Sequence, residues 1–196
     1  MSTVISFEST ESLPLPIYRF TVEQYQRMGE SGVLAPEDSV ELLEGWIVQK
    51  LDKRPLHGYL VRWLNEWLQA NLPSDWLMQC QLPITTERSE PEPDLVVVRG
   101  KHSDYRERHP SGGDCRLVIE VADTSLAKDR AKISIYAAAG VQEYWIVNAI
   151  DNQIESFRDS DGALYRQHQV WGLPETIQTD VGGTLLSLPL AQLFES

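Results

Sequence analysis

Two acidic residues stand inside runs of aliphatic residues, where acidic side chains are uncommon. Asp94 lies near the start of the run Pro93–Val98, and Glu120 lies within the run Leu117–Val121. Runs of this length and composition predict strands of a sheet that is covered on both faces. An ionised carboxylate there is costly unless it is paired, hydrogen-bonded or bound to a metal. The two acids therefore predict a functional site; strand ends that meet water or an arginine are the structural alternative.

The spacing of the two acids indicates that they lie side by side. They are 26 positions apart, and the intervening segment Arg99–Cys115 contains glycines and a proline among charged residues, which predicts a long exposed loop between adjacent strands. Strand alternation places Glu120 on one face with Val118 and Ala122. A divalent cation between the two carboxylates would relieve their repulsion, and Mg²⁺ is the natural candidate.

A helix is predicted directly after the Glu120 strand. Thr124 or Ser125 can cap its N-terminus, and it extends through Ala139 to Gly140, which suits the left-handed position after a helix. The free N–H groups of its first turn would lie near the acids, a place suited to a phosphate.

Lys132 lies about two turns into this predicted helix. Its side chain leans back toward the helix N-terminus and could reach the acids. Asp129, three residues earlier, could hold it in place. The alternative is a solvated helix face formed by Asp129, Arg130 and Lys132.

Several segments together match the motifs of one nuclease family. They are Pro93-Asp94, Ile119-Glu120-Val121, Asp129-Arg130-Ala131-Lys132, and the block from Tyr136 to Val147, in which Gly-Val-x-Glu-Tyr-Trp is the most specific part. In these segments the chain resembles the Uma-type restriction endonucleases of the PD-(D/E)XK nuclease superfamily. The resemblance extends from about Phe20 to Leu193.

The resemblance implies both a fold and a site. The fold would be α/β (α+β), with a restriction-endonuclease-like core of mixed β-sheet flanked by helices, an N-terminal β-hairpin and a C-terminal hairpin extension. The site would be that of a metal-dependent phosphodiesterase, with Asp94 and Glu120 as metal ligands, completed by a lysine and an upstream glutamate. The chain departs from the superfamily pattern at Ala122, where a lysine is usual. Lys132 fits the position to which this family moves that lysine.

Two upstream acids and one histidine compete to complete the site. Val40–Leu43 and Trp46–Leu51 flank Glu44-Gly45, which predicts a hairpin. Glu41 is favoured as the accessory carboxylate because it lies on a strand, whereas Glu44 suits ordinary turn chemistry. His57–Asn71 predicts a helix, and a lone histidine at its start is more often structural than a catalytic base.

Composition predicts a single core. With 196 residues and 42% hydrophobic content, residues 18–196 are expected to form one domain, preceded by a flexible arm at residues 1–17. Thr21 and Gln24 suggest a capping box. Gln153–Asp159 and Ala163–Val170 predict a second hairpin. The apolar segment Thr184–Phe194 either closes the sheet or contributes to a dimer surface.

The chain has neither a secretory signal pattern nor an apolar run long enough to span a membrane. Cys80 and Cys115 lack metal-ligand spacing, which favours reduced thiols. We therefore expect a cytoplasmic protein without membrane association.

The charge balance argues against simple DNA binding. The chain has 17 Lys and Arg against 29 Asp and Glu, a net charge of −12, so a phosphate backbone is repelled at long range. Basic residues around the predicted site could offset this repulsion locally, although a solvated charged loop explains them equally well. They are Arg99, Lys101, Arg106, Arg108, Arg116, Lys128 and Arg130.

Two functions of different classes are consistent with these observations. The first is a divalent-metal-dependent endonuclease that hydrolyses DNA, using Mg²⁺ or Mn²⁺ at Asp94 and Glu120, with Lys132 and Glu41 assisting. The resemblance and the prevalence of twofold assemblies suggest that it acts as a homodimer. The second is a catalytically silent interaction or regulatory domain on a nuclease-like fold, which suits the acidic surface. The acid and lysine set favours the enzyme.

Overall fold

The computed structural model describes residues 16–195, which form five α-helices and ten β-strands. The elements are α1 (Val22–Glu30), β1 (Val40–Leu43), β2 (Trp46–Gln49), α2 (Pro55–Asn71), β3 (Trp76–Cys80), β4 (Leu95–Arg99), β5 (Cys115–Ala122), α3 (Leu126–Ala131), α4 (Ile133–Ala139), β6 (Glu143–Asn148), β7 (Gln153–Ser160), β8 (Tyr165–Trp171), β9 (Thr176–Val181), β10 (Thr184–Pro189) and α5 (Leu190–Phe194). The arm expected at residues 1–17 lies almost wholly outside the described residues. No helix in the described part is long and apolar enough to cross a membrane.

A six-stranded mixed sheet forms the centre of the fold. Its order is β3-β4-β5-β6-β7-β8. β5 and β6 are parallel, and the other neighbouring pairs are antiparallel. The strands of the two predicted acids, β4 and β5, are direct neighbours, as the long loop between them indicated.

The two faces of this sheet carry separate hydrophobic clusters. On β5, Leu117, Ile119 and Val121 pack with α2, β9, β10 and α5. Val118 and Ala122 face the other way, toward a cluster that includes residues of α4. Both faces are thus covered, which is why the central strands are continuously aliphatic and why a carboxylate on β5 is buried.

The β1–β2 hairpin confirms the predicted turn at Glu44 and Gly45. Both residues have positive φ angles, 50° and 77°, as a two-residue hairpin turn requires. The hairpin forms its own two-stranded sheet, and Glu90 pairs with Leu42. The predicted capping box is also present, because Thr21 and Gln24 bond reciprocally at the start of α1.

The predicted helix through Ala139 is two helices, α3 and α4, which meet at Lys132. The backbone N–H of Lys132 bonds to the carbonyl of Asp129, three residues back, and this tighter turn ends α3. Ser125 occupies the N-cap position, but its side chain caps no N–H group. Gly140 ends α4 with a φ of 85°, as predicted.

The C-terminal region is more elaborate than the sequence suggested. The predicted hairpin forms β7 and β8, which extend the central sheet. A second hairpin, β9–β10, was not predicted; with α5 it covers one face of that sheet through buried Leu186, Leu188, Leu190 and Leu193. The segment Thr184–Phe194 therefore closes the core.

Candidate active site

Asp94 lies directly before β4, and its two carboxylate oxygens have different surroundings. Oδ2 accepts hydrogen bonds from the backbone N–H of Val121 at 2.9 Å and from Nε2 of His57 at 3.0 Å. Oδ1 lies 3.6 Å from Nζ of Lys53. Burial raises the pKa of Asp94, but the bonds from His57 and Val121 and the charge of Lys53 outweigh it and leave the pKa below its usual value. Asp94 is thus an ionised, buried carboxylate.

Glu120 lies on β5 and accepts two hydrogen bonds at one oxygen. Oε1 accepts from Nζ of Lys132 at 2.8 Å and from the hydroxyl of Tyr136 at 2.9 Å. Oε2 lies 3.4 Å from the backbone nitrogen of Asp94. Burial raises the pKa of Glu120 to about 8 against the opposing charge of Lys132, and the charges of Asp129 and Asp94 raise it further.

Lys132 connects Glu120 to the N-terminal hairpin. Its side chain is 3% exposed, and Nζ lies 2.8 Å from Glu120 and 3.0 Å from Glu41. Burial lowers the pKa of Lys132, but these two carboxylates outweigh it and raise the pKa. The expected clamp by Asp129 is wrong, because the Asp129 carboxylate accepts a hydrogen bond from the Ser125 hydroxyl instead.

Glu41, not Glu44, lies among these groups. Glu41 is buried on β1, where it lies 2.6 Å from Nζ of Lys128 and accepts from the backbone N–H of Glu92 at 3.1 Å. Burial raises its pKa, but the charges of the neighbouring lysines lower it below the usual value overall. Glu44 remains at the turn and pairs with Arg88. The strand position thus distinguishes the two acids, as the sequence indicated.

The four predicted residues line one small cleft of about 50 Å³. Its acidic residues are Glu41, Asp52, Glu92, Asp94, Glu120, Asp123 and Asp129, and its lysines are Lys50, Lys53, Lys128 and Lys132. This excess of carboxylates favours a cation. A wider groove of about 1040 Å³ shares Lys50 and Glu92 with the cleft and continues past α1 and the segment after Tyr105.

Three contributors to the site were not predicted as site residues: Tyr136, Lys53 and, in its contact with Glu41, Lys128. Tyr136 lies four residues after Lys132, so helical spacing could have pointed to it. The contacts of Lys53 and Lys128 join segments far apart in the sequence. No local pattern indicates them.

Part of the basic cluster seen in the sequence is neutralised within the protein. Arg108 pairs with Asp114, Arg116 with Glu143 and Arg130 with Glu155. Of the seven basic residues, Lys128 is the only one that lines the cleft in the described part of the chain. Arg106 and Arg108 line the wider groove.

The acids suit a hard divalent cation that also takes ligands from water and substrate. The residues that the structure describes contain no cluster of three or more His, Cys, Asp or Glu side chains suited to a metal. However, Asp94 Oδ1 and Glu120 Oε2 lack the short hydrogen bonds made by the other oxygen of each carboxylate. Mg²⁺ is commonly held by one or two carboxylates, with water and phosphate oxygens completing its shell. The donor set therefore fits that ion. The helix that follows Glu120 is the six-residue α3, and a phosphate site at its N-terminus stays a prediction.

Glu120 makes the stability of the metal-free protein depend on pH. Its pKa in the folded state is about 8, above the ordinary value of 4.5. Between these two pH values the folded state therefore holds a proton on Glu120 that the unfolded state has lost. The contribution of Glu120 to stability is therefore full below about pH 4.5 and falls as the pH rises toward 8. We expect Glu120→Gln to remove this dependence and to be more stable than wild type at pH 8.5 by about 1 kcal/mol or more. Urea unfolding in EDTA at pH 5 and pH 8.5 measures the difference, and parallel pH dependences in the two proteins would refute it.

Fold and site together define the class of the protein. A mixed sheet flanked by helices, with acids beside one another on neighbouring strands and a buried lysine, is a restriction-endonuclease-like arrangement. The profile of the Uma2 family, described as "putative restriction endonuclease", matches residues 22–191. The chain belongs to this family.

A solved structure supports the same fold. It is described as that of "a putative nuclease belonging to DUF820 from Anabaena variabilis ATCC 29413". The two chains share 18% sequence identity with a TM-score of 0.72, over 92% of this chain and 98% of the other. No curated protein matches the chain. Family and fold indicate a restriction-endonuclease-like nuclease, which is a hydrolase of nucleic acid.

Proposed function

We propose that the protein is a divalent-metal-dependent endonuclease that hydrolyses phosphodiester bonds of DNA. The observation that carries this proposal is the meeting of Asp94, Glu120, Lys132 and Glu41 in one cleft. These residues come from four separate parts of the fold, and direct ion pairs join Lys132 to both glutamates. A purely structural ion-pair network does not require a further buried carboxylate, Asp94, or the partly unused oxygens of Asp94 and Glu120.

Asp94 and Glu120 are the residues that would hold Mg²⁺ or Mn²⁺. When bound, such an ion supplies Lewis-acid stabilisation to a phosphate. The hydrogen bonds to Asp94 from His57 and Val121 fix the orientation of its carboxylate, and Tyr136 does the same for Glu120. The cleft thus holds both acids in place before substrate arrives.

Lys132 supplies positive charge beside these acids. Its ammonium would position the attacking water and stabilise the negative charge that develops on the phosphate. Glu41 is the second carboxylate that holds this ammonium, at 3.0 Å, and it also binds Lys128. Two carboxylates keep Lys132 protonated despite its burial, so its charge is available at neutral pH.

The wider groove offers a route for the polymer to the cleft. It is lined by Lys50, Arg106 and Arg108, but also by Glu30, Glu90, Glu92 and Glu107. Lys50 pairs with Glu92 and Arg108 with Asp114, and the net charge of −12 opposes long-range attraction of DNA, so binding would depend on divalent cations held in the cleft as well as on these side chains. Pairing of two copies into a homodimer stays a prediction.

The same acidity favours a second candidate, a catalytically silent interaction or regulatory domain on the nuclease fold. The two functions differ in what the purified protein does to nucleic acid. We expect Mn²⁺-dependent cleavage of duplex DNA that stops in EDTA. An assay of single-stranded, duplex and structured DNA and RNA tests this, and the absence of cleavage across the set would favour the silent domain.

A further inference from the structure

The segment Lys50–Arg54, which links β2 to α2, places a lysine on one of the two acids. Lys53 has an exposed side chain (41%), and its Nζ lies 3.6 Å from Oδ1 of Asp94. The other oxygen of Asp94 is already bonded to His57 and Val121. Lys53 therefore lies beside Oδ1, the oxygen of Asp94 that accepts neither of these two hydrogen bonds.

We infer that Lys53 is an exchangeable counter-ion of Asp94: a divalent metal displaces its ammonium from Oδ1, and the released ammonium then contacts a phosphate of the nucleic acid. This inference rests on the proposed function. It makes Lys53 a substrate-binding residue whose availability depends on occupancy of the metal site.

The surroundings of the lysines explain why Lys53 would be the one that moves. Lys132 is buried and bound by two carboxylates at 2.8 Å and 3.0 Å. Lys128 lies only 2.6 Å from Glu41 and is largely buried. The Lys53 contact is longer and more exposed, and such ion pairs are weak because water screens them. A divalent ion carries twice the charge and can therefore replace it.

The exchange also resolves a conflict of charge. With Lys53 on Asp94, a metal that approaches Oδ1 meets a positive group. Lys53 lines the cleft together with Lys50, and its side chain is exposed, so it can turn away from Asp94 without leaving the cleft. A phosphate held in the cleft would then contact the Lys53 ammonium, which lies beside Asp94 in the metal-free protein.

Calorimetric titration with Mn²⁺ in the absence of nucleic acid tests the first half of the exchange. We expect Lys53→Met to bind Mn²⁺ about two- to five-fold more tightly than wild type, the change that corresponds to one exposed ion pair. Lys50→Met is the matched control. It removes the same charge from the same segment, but Lys50 pairs with Glu92, so its effect on Mn²⁺ affinity should be clearly smaller. Lys53→Arg should bind Mn²⁺ as wild type does.

The second half of the exchange, contact of the released Lys53 ammonium with a phosphate, is tested by the cleavage kinetics of a duplex oligonucleotide. Lys53→Met should raise KM with little change in kcat, so that tighter metal binding accompanies weaker substrate binding. If wild type binds Mn²⁺ but Lys53→Met and Lys50→Met have equal affinities, the inference is overturned while the proposed function stands. If wild type binds no Mn²⁺, the proposed function fails and this inference fails with it.

Discussion

Asp94→Asn and Glu120→Gln are each expected to reduce Mn²⁺-dependent DNA cleavage by about a hundred-fold or more, with the fold intact. Both changes conserve shape and remove a negative charge from the pair of acids that would hold the metal. Loss of one well-placed electrostatic group in an active site typically costs two to three orders of magnitude in rate. Initial rates of plasmid nicking, with folding checked by circular dichroism, provide the measurement.

Glu44→Gln is the matched control for this prediction. Glu44 is three residues from Glu41 on the same hairpin, but it pairs with Arg88 at the turn. We expect its cleavage rate to equal that of wild type. If Asp94→Asn and Glu120→Gln also retain wild-type rates, the cleft does not catalyse the reaction.

Lys132→Met is expected to lower the free energy of unfolding by about 3–5 kcal/mol at pH 8. Lys132 is buried, and its ammonium contacts both Glu41 and Glu120. Removal of the ammonium leaves Glu41 with Lys128 as its cation but takes away the ammonium partner of the buried Glu120 carboxyl group, and loss of a buried partner is far more costly than the loss of a surface pair. Urea unfolding in EDTA measures the change.

A second substitution separates this electrostatic effect from loss of packing. Lys132→Met/Glu120→Gln should recover part of the lost stability, because a neutral amide replaces the buried carboxyl group that lost its ammonium partner. Lys101→Met removes an exposed lysine and should change stability by less than about 0.5 kcal/mol. Equal stabilities of Lys132→Met and Lys101→Met would show that the buried network contributes nothing.

The sequence predicted the acids of the site because their signal is local. Glu120 stands out against a continuous run of aliphatic residues, and a strand has only two faces on which to place it. The pairing of β4 with β5 was also predictable, because the loop between them is rich in glycine and contains a proline. Glu41 could be separated from Glu44 because one lies on a strand and the other at a turn with a positive φ angle.

Other parts of the structure depend on contacts between distant segments. Lys53 meets Asp94 across 41 positions, and Arg116 meets Glu143 across 27, so neither the extra lysine nor the neutralised arginines could be predicted from spacing. The turn that separates α3 from α4 at Lys132 accompanies burial of that side chain between Glu41 and Glu120, which helix propensity does not encode. The β9–β10 hairpin is different: its strands alternate apolar and polar residues around two glycines, a local hairpin signal that the reading of Thr184–Phe194 as one apolar segment overlooked.

Melting of wild type and Glu120→Gln, each in EDTA and in millimolar Mn²⁺, tests most directly whether these acids form a metal site. A ligand that binds only the folded state stabilises that state, and the stabilisation grows with the logarithm of the ligand concentration relative to its Kd. We predict that Mn²⁺ raises the melting temperature of wild type relative to EDTA and raises that of Glu120→Gln much less. Equal metal-induced shifts in the two proteins would contradict the account and leave Glu120 as an ordinary buried strand residue.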